Sequence, residues 1–186
     1  MTELGRRLVH ASGSLVPLAF LAGLLTWVQV QGLVLLATAV AAVLEGLRLS
    51  GRLDWWVYQQ FTREYEADWP AGYALALVGA SVTVLAFEPR IAVPAVLMLT
   101  IADPISGVLS RGRLEVKAGY VLLATFGICL GIAGVLRVPP LPALLGAGAA
   151  TAADGLKPSI RGYVIDDNLS IPVVAAAAMW IGFRLL

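Results

Sequence analysis

The sequence predicts an all-α, polytopic integral membrane protein with about seven transmembrane helices, one of them broken near Asp103. Three observations carry that prediction. First, 59% of the 186 residues are hydrophobic and only 13% charged, where soluble domains average about 45–50% apolar and 25% charged. Second, the charges leave long windows empty. Third, the charges that remain gather on one side of the predicted bundle. Mean hydropathy is +0.85, more apolar surface than one core of this length can hide. This argues against a soluble enzyme, a disordered chain and a basic-patch nucleic-acid binder. The length suits a single domain spanning 1–186. The single cysteine, Cys129, permits no intramolecular disulfide and no zinc knuckle.

The elements follow from the uncharged windows. Residues 8–44 hold no Asp, Glu, Lys or Arg, too long for one helix and right for two with a break near Gln29, Gln31 and Gly32. Further uncharged windows are 69–87, 91–102, 118–136, 138–153 and 168–183. A span needs about 20 apolar residues. The predicted membrane segments are therefore 8–28, 32–50, 70–88, 91–110, 119–137, 140–154 and 169–185. Residues 51–69, with Trp55, Trp56, Tyr58, Phe61, Tyr65 and Trp69 among charges, read as an interfacial stretch. Hydrophobic segments continue to the last residue, so Arg6-Arg7 before an apolar run is not expected to mark a cleaved signal peptide.

Ten basic residues fall at the N-terminus and in alternate loops, and three (Arg90, Arg137, Arg184) on the opposite side. The positive-inside rule places the N-terminus in the cytoplasm and the C-terminus outside. Eleven of the twelve acidic residues share the cytoplasmic side, all but Glu88. Topology does not require that, so the clustering points to a polar site.

Ionisable groups within membrane segments are expensive, which makes them functional candidates. Four stretches qualify. Arg7, His10 and Ser14 share one helix face, and the structural alternative is a basic anchor with an interfacial histidine. Glu45 with Arg48 and Arg52 makes a similar face, and a structural ion pair explains it equally well. Asp103 precedes Pro104 in an apolar segment, where a proline disfavours helical dihedrals in its predecessor. There the helix is expected to break and restart, with Asp103 facing a cavity rather than serving as a cap alone. Gly107, Ser110 and Arg111 continue down that side. Last, Asp166-Asp167-Asn168 offers oxygens suited to Mg²⁺, with Lys157 and Arg161 nearby for phosphates; the alternative is a loop whose Asn168 or Ser170 caps the last helix. Together these describe phosphoryl transfer between a soluble nucleotide and a lipid. Neither a Walker A motif nor a protein-kinase signature set is present.

In their order along the chain the motifs resemble those of the dolichol kinase and phytol kinase family, CTP-dependent polyprenol kinases, in a short archaeal-type form. The matching residues are RRLVHASG (6–13), Glu45 with Arg48, REYE (63–66) followed by Gly72, Asp103-Pro104 with Gly107, Lys117, and DDNLSIP (166–172). Departures are Ser110 where the family has glycine, Lys117-Ala118-Gly119 for its Lys-Ser and downstream Gly, Asp154 for a glutamate, and a short 111–117 loop.

The resemblance implies transfer of the γ-phosphoryl of CTP to an isoprenoid alcohol in the bilayer. It implies Mg²⁺ on Asp103, Asp166 and Asp167, with Asn168 on the triphosphate. Lys117, Arg111, Lys157 and Arg7 would neutralise phosphates. Asp103 and Asp167 would be catalytic, with Asp103 or His10 as the base for the lipid hydroxyl. A CTP-dependent diacylglycerol kinase and a CDP-lipid synthase are the neighbouring alternatives, and a small ion-coupled transporter the alternative from another class. Gly127 and Gly131 permit close helix packing but leave the oligomeric state open.

Overall fold

The computed structural model describes residues 3–53, 55, 66–110, 117–156, 159–160, 163–164 and 166–186. The described chain is helical apart from one small ribbon. Its helices are α1 (Glu3–Ser12), α2 (Leu15–Leu21), α3 (Trp27–Leu49), α4 (Gly72–Ala86), α5 (Pro89–Leu97), α6 (Asp103–Leu109), α7 (Gly119–Val135), α8 (Pro140–Leu156) and α9 (Asp167–Arg184). Between α8 and α9, Ser159–Ile160 (β1) pairs antiparallel with Tyr163–Val164 (β2). Two stretches are long and apolar enough to cross a membrane by length and composition, Trp27–Leu49 and Pro89–Leu109. The apolar helices α4 and α7 are shorter, at 15 and 17 residues.

The first expected segment, 8–28, is not one helix. The chain turns at Gly13–Ser14, and α2 ends before Gly23, whose φ of +73° suits glycine alone among common residues. The break expected near Gln29 to Gly32 falls earlier. Thr26 caps α3, its hydroxyl accepting from the Gln29 amide while the Gln29 side chain accepts from the Thr26 amide. Gln29 is thus half of a capping box and not a helix breaker. Gln31 lies inside α3 and donates to the Val84 carbonyl at 2.9 Å, tying α3 to α4.

The expected break at Asp103 takes another form. Met98–Ala102 is a π-helical turn joining α5 to α6, and Asp103 itself has helical dihedrals (φ −62°, ψ −48°). Pro104 has no N–H to give the carbonyl four residues back, and the widened turn absorbs that irregularity without stopping the helix. Asp103 is therefore not an N-cap.

This α5–α6 segment runs through the centre. Ile91, Ala95, Met98, Leu99 and Ala102 are buried in one cluster with Cys129, Ala133, Ala147, Ala150, Ala175 and Met179. Its packing relies on small residues. A Cβ on Gly182 would lie 2.6 Å from the Pro142 Cα, so glycine is what lets α8 and α9 touch backbone to backbone. Gly79 does the same between α4 and the start of α9, where a Cβ would lie 2.7 Å from the Leu169 carbonyl oxygen and 3.0 Å from that of Asn168. That contact positions the Asp167–Asn168 end of α9.

Candidate active site

A cavity of about 430 Å³ opens between α1–α2, α3, α4 and α5–α6, reaching Lys117 and the start of α9. Its two ends differ chemically. At one end lie Arg6, Arg7, His10, Glu66, Asp103, Lys117, Asp167 and Asn168. Much of the remainder is apolar: Trp27, Val30 and Val34 from α3, Ala76, Ala80 and Val84 from α4, Ala92 and Val96 from α5. These recur every three or four residues along each helix, one face apiece.

The polar end is built around carboxylates. Asp103, Asp154 and Asp167 each present an oxygen within 4.8 Å of the others. Asp154, which the sequence placed outside the expected metal ligands, is fully enclosed. It accepts from Ser106 Oγ at 2.5 Å and pairs with the Lys117 ammonium, which also donates to Ser106 Oγ at 2.8 Å. The Lys117 and Asp154 side chains are 4% and 1% exposed. Lys117 is thus placed as expected at the site but is held by a buried partner. With Asp154 engaged in that way, Asp103 and Asp167 are the carboxylates turned to the cavity. The three carboxylates could together hold a metal ion, and an all-oxygen donor set is of the kind that hard cations take.

The two adjacent aspartates at the start of α9 have different positions. Asp166 is the N-cap, with extended dihedrals, and its Oδ1 accepts from the Asn168 backbone N–H at 2.9 Å and from Asn168 Nδ2 at 2.8 Å. Capping accounts for it; the structure groups Asp154, rather than Asp166, with Asp103 and Asp167. Burial, and next the charge of Asp167, push the Asp166 carboxyl above its ordinary range, despite the Asn168 hydrogen bonds that favour its ionised form. Asp167 opens the first turn of α9, and Asn168 follows beside Gly72, where a Cβ would meet Asn168 Nδ2 at 2.9 Å.

His10 approaches from α1. Its Nε2 lies 3.8 Å from Asp103 Oδ2, within ion-pair but beyond hydrogen-bond range, and is buried with no hydrogen-bond partner, while the ring bonds the Leu99 backbone of the π-turn. An unpartnered ring nitrogen facing a cavity is poised for a ligand donor or acceptor. The Arg7 guanidinium packs against Gly107, where a Cβ would come within 3.3 Å of it. Ser14 does not join this face: its hydroxyl bonds back to the Ala11 carbonyl.

Glu45 and Arg48 prove structural. Arg48 bonds both Glu45 oxygens and the carbonyls of Glu66, Ala67 and Trp69, while Glu45 accepts from the Ala71 N–H and the Tyr73 hydroxyl. The clamp holds the entry to α4, and with it Glu66, whose Oε1 accepts from the Gly72 N–H at 3.3 Å. Arg111, Lys157 and most of the 51–69 stretch lie outside the described residues. Ser106 is a site residue that sequence reasoning did not select; Glu66 and Asp154 entered only through the motif resemblance, as the end of REYE (63–66) and in place of a glutamate, with no role assigned to either.

No protein-family model matches this chain, and comparisons with curated proteins and with solved structures return no similar protein.

Proposed function

We propose that the protein is an integral membrane lipid kinase transferring the γ-phosphoryl of CTP to an isoprenoid alcohol at the cytoplasmic face. The observation that supports it best is the joined cavity, with carboxylates and cations at one end and an apolar slot at the other. A metal-bound triphosphate needs the first and a lipid alcohol needs the second. CTP as donor comes from the motif resemblance.

The membrane assignment has its own support. Beside the two membrane-length stretches, large apolar side chains face outward along the bundle, with Leu123 72% and Val135 83% exposed. A soluble protein would leave this surface in water. In the proposed arrangement the seven segments cross or enter the bilayer, the first as the bent α1–α2 pair. The charge distribution puts the N-terminus in the cytoplasm and the C-terminus outside.

Phosphoryl transfer is mostly positioning and charge stabilisation. Asp103 and Asp167 would hold Mg²⁺, which when bound draws negative charge off the phosphate oxygens. Arg7 and Lys117 face the same volume and offset further phosphate charge. The lipid oxygen attacks the γ-phosphorus, the bond to the β–γ bridging oxygen breaks, and CDP leaves. The hydroxyl proton passes to His10 Nε2 or to Asp103, which stand 3.8 Å apart. Asn168 orients the triphosphate from the start of α9.

Purified protein given labelled CTP, Mg²⁺ and polyprenols tests this. A polyprenyl monophosphate and CDP are expected, and Asp103→Asn or Asp167→Asn should lower turnover at least a hundredfold. Full activity in either variant would overturn its assigned role. Pyrophosphate release would identify a CDP-lipid synthase, and ion flux without nucleotide turnover a transporter.

A further inference from the structure

The apolar part of the cavity is lined by one face of α3 and one of α5, with Trp27 at the extreme of the α3 lining. Along α3 it runs from Trp27 through Val30 and Val34 to Ala37. Ten helical rises make this about 15 Å. On the facing segment the lining continues from Ala92 to Asp103 at the polar end. At the end far from Asp103, Trp27 packs against the cluster of Val30, Ala80, Val84, Ala92 and Val96.

Trp27 is also held from outside. Phe20 meets it edge-on, with centroids 5.3 Å apart and rings inclined by 64°. The capping box of Thr26 and Gln29 fixes the helix turn on which it sits. A two-torsion aromatic fixed on both sides is a rigid stop.

From this geometry we infer that Trp27 is a specificity-determining residue, the floor of a slot that takes one alkyl or isoprenoid chain with its hydroxyl at His10 and Asp103. The inference rests on the lipid-alcohol reading of the site and adds to it a depth limit. The occupant is a single chain because the polar groups converge at one end only and each helix contributes one lining face. A two-chain glycerolipid would leave one chain outside. An alcohol longer than the slot places only its hydroxyl-proximal part there.

The experiment is binding of a homologous series of primary alcohols to nucleotide-free protein in detergent, with Kd referred to the free aqueous alcohol. In the wild type Kd should tighten about fourfold per added methylene while the slot fills, then stop tightening. Trp27→Ala should move that plateau to longer chains. Val34→Phe, which adds bulk midway between Trp27 and Ala37, should move it to shorter ones. A plateau at one length in all three proteins, no plateau, or no binding of any alcohol would each overturn the inference. Alcohols that bind with shifted plateaus but accept no phosphoryl group from CTP would instead uphold the slot and refute the kinase reading.

Discussion

Removing the Asp154 carboxylate should be among the most damaging single changes to the fold. In Asp154→Ala the Lys117 ammonium, 4% exposed, loses the carboxylate it bonds directly and keeps Ser106 Oγ as its remaining described hydrogen-bonded side chain. Breaking a buried pair from one side costs about 3–5 kcal/mol, because the surviving charge stays desolvated. For a chain of this size each kcal/mol moves the unfolding midpoint by about 2–4 °C, so the variant should melt roughly 6–20 °C lower. Tryptophan fluorescence during heating in detergent provides the readout, since the chain holds five tryptophans. The double variant Asp154→Leu with Lys117→Met removes both charges and should recover most of that loss. Its phosphoryl transfer should stay low, because Lys117 is then missing from the phosphate end. Two results would refute the reasoning: an Asp154→Ala midpoint within about 2 °C of wild type, or a double variant as unstable as the sum of its single changes.

Other consequences are open to direct measurement. Gly79→Ala drives a Cβ to 2.7 Å from the Leu169 carbonyl oxygen; a stability loss of about 1–3 kcal/mol with reduced turnover is expected, whereas an unchanged KM and kcat would disconnect this contact from the site. Asp166→Asn keeps a good cap and should retain activity, while Asp166→Ala should lose about 1 kcal/mol in denaturant unfolding. Since the folded Asp166 pKa is raised, its ionisation costs stability as pH rises through that value. The Asn variant should therefore gain on wild type above about pH 4; a pH-independent difference would contradict this. Arg48→Met strips the bonds to three backbone carbonyls, so limited proteolysis should cut faster between α3 and α4 than in wild type. Equal cutting rates would show that the clamp does not hold the loop.

Much of the helical architecture was legible because an apolar helix is written in one dimension, as a window without charges. Empty charge windows located α3, α4, α7, α8 and α9 to within a few residues, with α3 starting earlier than expected. The irregularity at Asp103 was legible from Pro104, but its form was not. Whether a proline ends a helix or widens one turn depends on what packs around it, and here Met98, Leu99, Thr100 and Ala102 of the preceding turn are buried. The first segment was misread because Gln29, Gln31 and Gly32 read as the interruption, although Thr26-x-x-Gln29 is itself a helix-start pattern.

The site divides in the same way. His10, Asp103, Asp167 and Asn168 stood out in the four polar stretches and Lys117 in the motif resemblance, and the fold brings all five to one cavity. Partnership was another matter. Lys117 and Asp154 are 37 positions apart, and no local pattern announces their pairing. Neighbouring Asp166 and Asp167 look equivalent in sequence, yet one precedes the first helical turn and the other opens it, so they point different ways. Glu45 and Arg48 showed the converse, a suggestive charged face that serves to bond the chain entering α4.

The decisive measurement is phosphoryl transfer itself. Purified protein in lipid bilayers, supplied with CTP labelled at the γ-phosphate, Mg²⁺ and a polyprenol, should move the label into an organic-extractable monophosphate. The transfer should disappear in Asp167→Asn and on chelation of the metal. Label that stays in the nucleotide with every lipid alcohol tried, while the folded protein retains its thermal stability, would contradict the assignment of this cavity to a lipid kinase.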